Sequence, residues 1–372
     1  MLRKLLILML LLAGGFSKAA DMAGYVPTDA FTLIPADYKY ELSKPQLVIK
    51  NMPRVRSQGP LPACYGCSAA TIIQKYICDN HPAYLGKNCS QLPPTMEVSM
   101  FDMISWSLTN KDGQSKDLPS NHKNIRLKEE DRRKTEGVMV LVNSRGMPEY
   151  LTEACSTSSV LERGFADDVT KEVENTLSML EEQHSQIIRN PSARCDACFR
   201  RFTAAFSSTI DEASFFRAFE KKTFGEVLYS LIFPKKCVEK ISIRDLDHTV
   251  NIYPKINGPR EREKLIATII AAMGSPEKSR PVLVGNVCLL MSSNSDECLT
   301  HSLAVSGYKY LCKKPNLSLR DPDCILAMKV HNCWGDRWQR ENDDGWVDAK
   351  KLIGNINRKV ASLDDGTLSW IE

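Results

Sequence analysis

Three separated stretches of the chain supply a thiol, an imidazole and an amide, in that order. Cys64 follows Gln58 by six residues, His301 begins a run that continues Ser-Leu-Ala-Val-Ser-Gly-Tyr, and Asn332 is followed by Cys-Trp-Gly. A thiolate can attack a peptide carbonyl, an imidazole can carry the proton, and an amide can orient the imidazole. The side-chain amide of Gln58 could donate to the oxyanion that forms. Together these groups could cleave an amide bond through a thioester.

The three stretches resemble the papain family of cysteine peptidases. That family reads Gln-Gly-x-Cys-Gly-Ser-Cys-Trp-Ala-Phe-Ser around its nucleophile, has Val-Gly-Tyr-Gly after its His, and has Lys-Asn-Ser-Trp-Gly around its Asn. The matching stretches here are residues 58–68, 305–308 and 331–335. The resemblance implies that Cys64 is the nucleophile, with a helix N-terminus and a protonated His301 favouring its thiolate.

The remaining site residues also follow from the resemblance. It implies that His301 is the general acid and base, that Asn332 orients the ring, and that Gln58 contributes to the oxyanion hole. Three substrate-binding residues are implied as well, namely Gly137, Trp334 and Trp338. Trp334 is expected to cover the bond between Asn332 and His301, and Trp338 either to pack in the interior or to border the leaving-group side. The family's paired glycines are not kept, because Glu136 and Val138 flank Gly137.

Other interpretations of these residues remain open. Taken alone, Cys64 could be a core thiol or a disulfide partner, and Asn332 could cap a turn. Cys67 lies on the same helix face as Cys64 and is interpreted as a core or disulfide residue. His331 is adjacent to Asn332, but neighbouring strand residues point to opposite faces, so it should point away.

Three functions are compatible with this set of groups. The first is an exported peptidase that acts on a peptide or protein substrate. The second is a transpeptidase that resolves the same thioester with an amine, and the third is a non-catalytic peptide-binding relative. Because all four groups that the reaction needs are present, the sequence favours an enzyme over a non-catalytic binding protein. A net charge of +4 with well-mixed signs gives no reason to expect nucleic acid, and no cofactor or metal is predicted.

The first residues indicate export, to a periplasm or out of the cell. Arg3 and Lys4 precede an apolar stretch over residues 5–16, and small residues follow at 17 and 19. This pattern predicts a signal peptide over residues 1–19. The apolar stretch is too short to span about 30 Å of hydrocarbon as a helix. We therefore expect no membrane span after cleavage.

Thirteen cysteines in an exported chain predict disulfides. The sequence pattern suggests loops closed by Cys78 with Cys89, by Cys288 with Cys298 and by Cys312 with Cys324, and partners among Cys155, Cys195, Cys198 and Cys237. It leaves open whether Cys67 and Cys333 are free thiols. Cys195 and Cys198 also have the spacing of half a zinc knuckle. A second such pair is absent from the sequence, so a disulfide is favoured over zinc.

The chain divides by composition after the signal peptide. Residues 20–152 are expected to form an N-terminal arm and a helical lobe with the nucleophile. Residues 263–372 contain β-branched runs and are expected to form a β-barrel lobe with His301 and Asn332. The resemblance therefore implies an α+β, papain-like two-lobe fold.

Residues 153–262 have helical spacing and match nothing in the family pattern. Cys64 and His301 are 237 residues apart, against about 130–150 in the family. We interpret the excess as a helical, Cys-containing insertion. It could be an enlargement of the structural lobe, or a lid, an inhibitory element or a surface for a protein partner.

Overall fold

The computed structural model describes residues 25–43, 45–106, 137–144, 147, 149–163, 167–233, 237, 239–244, 246, 249–253, 259–292, 298–356 and 367–372. The predicted signal peptide lies outside these residues, as does Glu136. No boundary between the predicted lobes and the insertion is tested, and those divisions stay predictions.

The first long helix begins at the predicted nucleophile. Helix α1 runs Cys64–Asn80 and is buried along most of its length. Small and apolar residues fill it, and neither Pro nor Gly follows Gly66, so nothing interrupts the backbone hydrogen bonds. Helices α2 (Met100–Trp106) and α3 (Gly137–Asn143) pack against it.

Four helices follow in the middle of the chain. They are α4 (Asp167–Arg189), α5 (Asp196–Ala205), α6 (Glu212–Ala218) and α7 (Phe224–Ile232). Asp211 caps α6 through the N–H of Ser214, and Thr223 and Glu226 form a capping box at α7. These caps fix the starts of α6 and α7 as separate helices.

An antiparallel sheet of nine strands carries the predicted His. Its strands are β1 (Tyr25–Pro27), β2 (Tyr40–Glu41), β3 (Leu47–Val48), β6 (Val250–Tyr253), β7 (Val282–Ser292), β8 (Cys298–Cys312), β9 (Cys324–His331), β10 (Trp346–Asp348) and β11 (Leu368–Ile371). The main order is β10-β9-β8-β7-β11-β6, with β1 beside β7 and both β2 and β3 beside β8. A second, two-stranded sheet pairs β4 (Glu149–Leu151) with β5 (Lys240–Ser242).

The two faces of the nine-stranded sheet contribute to two hydrophobic clusters. Leu283 and Ala304 belong to the cluster that contains α1, whereas Val284 and Val305 belong to the other. The second cluster also takes in helices α8 (Pro259–Met273), α9 (Gly335–Glu341) and α10 (Ala349–Gly354). The alternation follows from the two-residue period of a strand. The predicted mixed α+β class is thereby confirmed.

The middle helices share their core with α1. Leu177, Phe202 and Phe215 lie in the same buried cluster as Ile72 and Ile73 of α1. Removing residues 153–262 would therefore expose apolar surface on the remainder of the helical part.

Five disulfides join described cysteines. Cys78–Cys89 and Cys312–Cys324 form as predicted, and the four middle cysteines pair as Cys155–Cys237 and Cys195–Cys198. Cys67 and Cys333, for which the sequence left a free thiol and a disulfide both open, form the fifth disulfide. Residue separation gave no hint of it, since the two cysteines are 266 residues apart.

The predicted pairing of Cys288 with Cys298 does not form. The strand register places Cys288 opposite Thr300 and Cys298 opposite Met291, so the two are not direct cross-strand partners. Their thiols are hydrogen-bonded instead, and this bond, followed by burial, raises the pKa of Cys288.

Among the described residues, none of the helices is both long and apolar enough to cross a membrane.

Candidate active site

The predicted nucleophile stands at the first residue of α1. Cys64 is 3% exposed, and the capping position before it is Ala63, whose side chain accepts no hydrogen bond from the helix. The first turn also holds no acidic side chain. The positive end of the helix dipole therefore acts at Cys64 without a neighbouring carboxylate or capping side chain to offset it.

A disulfide ties this helix to the segment that carries Asn332. Cys67 lies one turn after Cys64, and its partner Cys333 directly follows Asn332, with Cα atoms 6.2 Å apart. Residues three apart share a helix face, so the face that presents Cys64 is turned toward this segment. The disulfide thus joins α1 covalently to the segment that carries Asn332.

His301 and Asn332 are hydrogen-bonded in the interior. The distance from His301 Nε2 to Asn332 Oδ1 is 2.8 Å, and the two residues are 2% and 0% exposed. An amide oxygen can only accept, so Nε2 carries the hydrogen. The other ring nitrogen, Nδ1, is left as the one that can exchange a proton with a reacting group.

Two aromatic rings border the imidazole, and a third packs against them. The ring of Trp334 lies 5.0 Å from that of His301 between centroids, tilted by 33°. Phe31 meets His301 edge-on at 6.2 Å, and Trp338 contacts Trp334 at 5.5 Å. Apolar rings exclude water from the bond between His301 and Asn332, which strengthens it.

Gln58 lies in a turn hydrogen-bonded to the same segment. Its backbone N–H donates to the carbonyl of Cys333 at 2.8 Å, while Gly335 N–H donates to the carbonyl of Arg56 at 3.1 Å. Ser57 forms a β-bridge with Trp334 between them. The Gln58 backbone is therefore fixed directly beside the residues that follow Asn332.

The side chain of Gln58 folds back toward Cys64. Nε2 donates to the carbonyl of Leu61 at 2.8 Å, and the residue is 5% exposed. This bond uses one of the two hydrogens on Nε2, which leaves the second to donate to an oxyanion. Gln58 Oε1 has no hydrogen-bond partner in the part of the chain that the structure describes.

The turn before Cys64 packs against the middle region of the chain. Gly59 has a φ of +55°, and a Cβ there would lie 2.6 Å from the carbonyl oxygen of Val160 and 2.9 Å from Leu161 Cα. Only glycine allows this backbone angle together with such close contact. Residues 160–162, a single 3-10 turn, therefore buttress the loop that holds Gln58.

The predicted substrate-binding residues are placed differently from one another. Trp334 and Trp338 lie in the aromatic group around His301. Gly137 is the first residue of α3, and the next residue, Val138, is buried against Gly285 of β7. A substrate-binding role for Gly137 stays a prediction.

His331 points away from the candidate site. Its Nε2 lies 3.2 Å from the carbonyl oxygen of Arg54 rather than near His301. Burial lowers the pKa of His331 to about 4, so the ring is neutral near pH 7. This agrees with the expected alternation of strand side chains.

Sequence reasoning missed two parts of this arrangement, Phe31 and the Cys67–Cys333 bond. Sequence spacing gave no signal for the bond, because its two cysteines lie 266 residues apart. Phe31 carried no signal, since an aromatic residue in a Pro-rich arm is unremarkable.

Comparisons with family models, with curated proteins and with solved structures found no significant match.

Proposed function

We propose that the chain is an exported, papain-like cysteine peptidase that hydrolyses peptide bonds through a thioester on Cys64. The observation that carries this proposal is the buried bond from His301 Nε2 to Asn332 Oδ1. It assigns the ring hydrogen and leaves Nδ1 for proton transfer. A disulfide from the helix of Cys64 to the residue after Asn332 supports the same assignment.

The reaction needs only side chains of this chain and water. The Cys64 thiolate attacks the carbonyl carbon, and the oxyanion is held by Nε2 of Gln58 and the backbone N–H of Cys64. The imidazolium of His301 protonates the departing amine as the C–N bond breaks. His301 then removes a proton from water, which attacks the thioester and releases the carboxylic acid and the thiol.

The papain-like two-lobe architecture belongs to this proposal. Two hydrophobic clusters on opposite faces of the sheet support it, one containing α1 and the other α8 and α10. In this interpretation the first cluster is the core of the helical lobe, and the second is the core of the barrel lobe.

Export and partners are proposed on the same basis. Five disulfides fit an oxidising compartment, periplasmic or extracellular. The partner is a peptide or protein substrate. The contact between Gly59 and residues 160–161 supports a structural role for the middle region beside the site. A protein partner for the insertion stays a prediction.

The proposal is tested by labelling with an epoxysuccinyl inhibitor, followed by peptide mapping by mass spectrometry. We expect one adduct, on Cys64, because among the three cysteines outside the disulfides this one stands at a helix N-terminus and belongs to the proposed catalytic set. Cys288 and Cys298 keep their thiols and serve as internal controls. The variants Cys288→Ser and Cys298→Ser should label as the parent does.

Peptide hydrolysis is the second part of the test. Cys64→Ala should abolish it and abolish labelling while the protein stays folded. Labelling on another thiol, or full hydrolysis by folded Cys64→Ala, would overturn the assignment. Labelling without any hydrolysis of a peptide library would point instead to a binding relative with a retained thiol.

A further inference from the structure

The N-terminal arm presents Phe31 on a firmly held turn. Thr28 donates through its N–H to the carbonyl of Leu289 at 2.9 Å and through its hydroxyl to that of Cys288 at 2.6 Å. On the other side of Phe31, the carbonyl of Thr32 accepts from Asp348 N–H at 2.9 Å. The turn is therefore pinned to β7 and to β10.

Two further contacts fix the orientation of this turn. Asp29 accepts from Asn355 Nδ2 at 2.6 Å and pairs with Lys351 Nζ at 2.5 Å, and these bonds to Lys351 and Asn355 lower the pKa of Asp29. Ala30, next to Phe31, is 1% exposed and packs in the second hydrophobic cluster. Ala30 thus lies in the core, and the next residue, Phe31, packs partly buried at its edge.

Phe31 joins Trp334 and Trp338 in one aromatic surface. Its ring centroid lies 5.4 Å from each of theirs. All three residues are only partly buried. A fixed, partly exposed group of three rings is well suited to bind an apolar side chain, because it presents apolar area with little conformational entropy to lose.

The chemistry of His301 decides which side of a substrate would meet these rings. His301 must deliver a proton to the departing amine, so it lies on the amine side of the scissile bond. Trp334 lies over the imidazole and Phe31 meets its edge. The aromatic surface therefore continues from His301 along the leaving-group side.

We propose that Phe31 of the N-terminal arm is a specificity-determining residue, which completes with Trp334 and Trp338 a subsite for an apolar or aromatic side chain directly after the scissile bond. This inference rests on the proposed peptidase function. It makes the arm a permanent wall of the site. The substrate class that follows is peptides with a large apolar residue on the amine side of the cleaved bond.

The test uses acyl transfer from the thioester. The full-length protein is acylated with an activated ester of a short blocked peptide, and phenylalanine amide, leucine amide or glycine amide competes with water for the acyl group. Mass spectrometry measures the ratio of peptide amide to free acid for each amine. Because both products come from the same acyl-enzyme, a change in the overall rate cancels from the ratio.

The parent should prefer phenylalanine amide to glycine amide on the order of tenfold, as expected for partial burial of one aromatic side chain. Phe31→Ala should reduce that preference several-fold, and Phe31→Leu should keep more of it. Tyr40→Ala is the matched control, since Tyr40 is an exposed aromatic residue of the same arm in β2. This variant should keep the parent preference.

The outcomes separate the subsite from the peptidase function. If no acyl group is found on Cys64, the proposed function fails and the subsite fails with it. If Cys64 is acylated but the amine preference is absent in the parent, the subsite inference is overturned. The same holds if the preference is equal in the parent and in both Phe31 variants. If Phe31→Ala fails to fold, the test rests on Phe31→Leu, in which the preferred amine should shift from phenylalanine amide toward leucine amide.

Discussion

Removal of the Cys67–Cys333 disulfide should damage stability and catalysis together. The perturbation is the double variant Cys67→Ala/Cys333→Ala, which avoids leaving one thiol unpaired. Its matched control is Cys312→Ala/Cys324→Ala, which opens the disulfide at the far end of the β8–β9 hairpin. Both variants remove one disulfide, but only the first disulfide adjoins the candidate site.

The expected loss of stability can be worked from the lengths of the closed loops. Cys67 and Cys333 are 266 residues apart, and Cys312 and Cys324 are 12 apart. The other disulfides shorten the long loop to roughly 160 residues, for which the chain-entropy relation gives about 5 kcal/mol. The same relation gives about 3 kcal/mol for the short loop. The first variant should therefore lose about 2 kcal/mol more free energy of unfolding than the control.

The catalytic consequence follows from position. The disulfide joins the first turn of α1 to the residue after Asn332, so its removal allows Cys64 to shift relative to His301. A misplacement of about 1 Å can cost on the order of 100-fold in rate. We expect kcat to fall at least tenfold in the Cys67 variant, while the Cys312 variant keeps the parent value.

The assays are urea denaturation followed by circular dichroism, and peptide hydrolysis at a temperature where both variants are folded. Equal losses of stability in the two variants would refute the loop-length argument. Unchanged kcat in the folded Cys67 variant would refute the claim that this disulfide positions the catalytic groups.

The remaining predictions concern three polar side chains. His301→Ala should lower kcat by a factor on the order of 10²–10⁴ because it removes the proton carrier. Asn332→Ala should lower kcat only about tenfold because one orienting hydrogen bond is lost. Equal losses of kcat in the two folded variants would contradict this division of roles. The pKa of His331 is about 4 in the folded protein, against 6.5 for an ordinary histidine. As the pH falls from 6.5 to 4, the unfolded chain therefore takes up a proton on this ring and the folded protein does not. Stability should therefore drop by about 2–3 kcal/mol from pH 7 to 4.5 through this group, and His331→Gln should remove that part of the drop in urea midpoints measured at both pH values.

Local sequence patterns predicted those helices and strands whose formation is decided mainly by the residues within them. The small and apolar residues from Cys64 to about Cys78, with no Pro or Gly after Gly66, predict a buried helix, which forms and continues to Asn80. The β-branched runs likewise form β7, β8 and β9. Periodicity is sufficient where a segment is apolar along one face and carries no internal conflict.

The same reasoning failed where distant contacts decide. The stretch Pro93-Pro94-Thr95 before Met96 resembles a capped helix start, but a 3-10 turn ends at Met96 and helix α2 begins at Met100. Arg54 holds the carboxylate of Glu97 with two hydrogen bonds of 2.7 Å, and residue 98 forms a β-bridge with residue 152. These partners lie more than forty residues away in the chain, beyond any local pattern.

The candidate site was likewise predictable only where the residue types themselves carry the information. Residue types and order singled out Gln58, Cys64, His301 and Asn332, because each type is needed for one chemical step. Nothing local could place Phe31 beside His301, since the contact depends on how the arm pairs with β7 and β10.

The segment of residues 331–335 explains why these distant groups meet. Asn332 binds His301, Cys333 is bonded to the helix of Cys64, and the backbone of 333–335 pairs with the turn that carries Gln58. Each functional group is thus held to one short stretch rather than directly to the others. Because that stretch joins β9 to α9, its position depends on the packing of the sheet between both hydrophobic clusters. The middle region contributes to the same packing through its contact with Gly59. A site assembled from groups so far apart in sequence therefore forms only when the described core has folded.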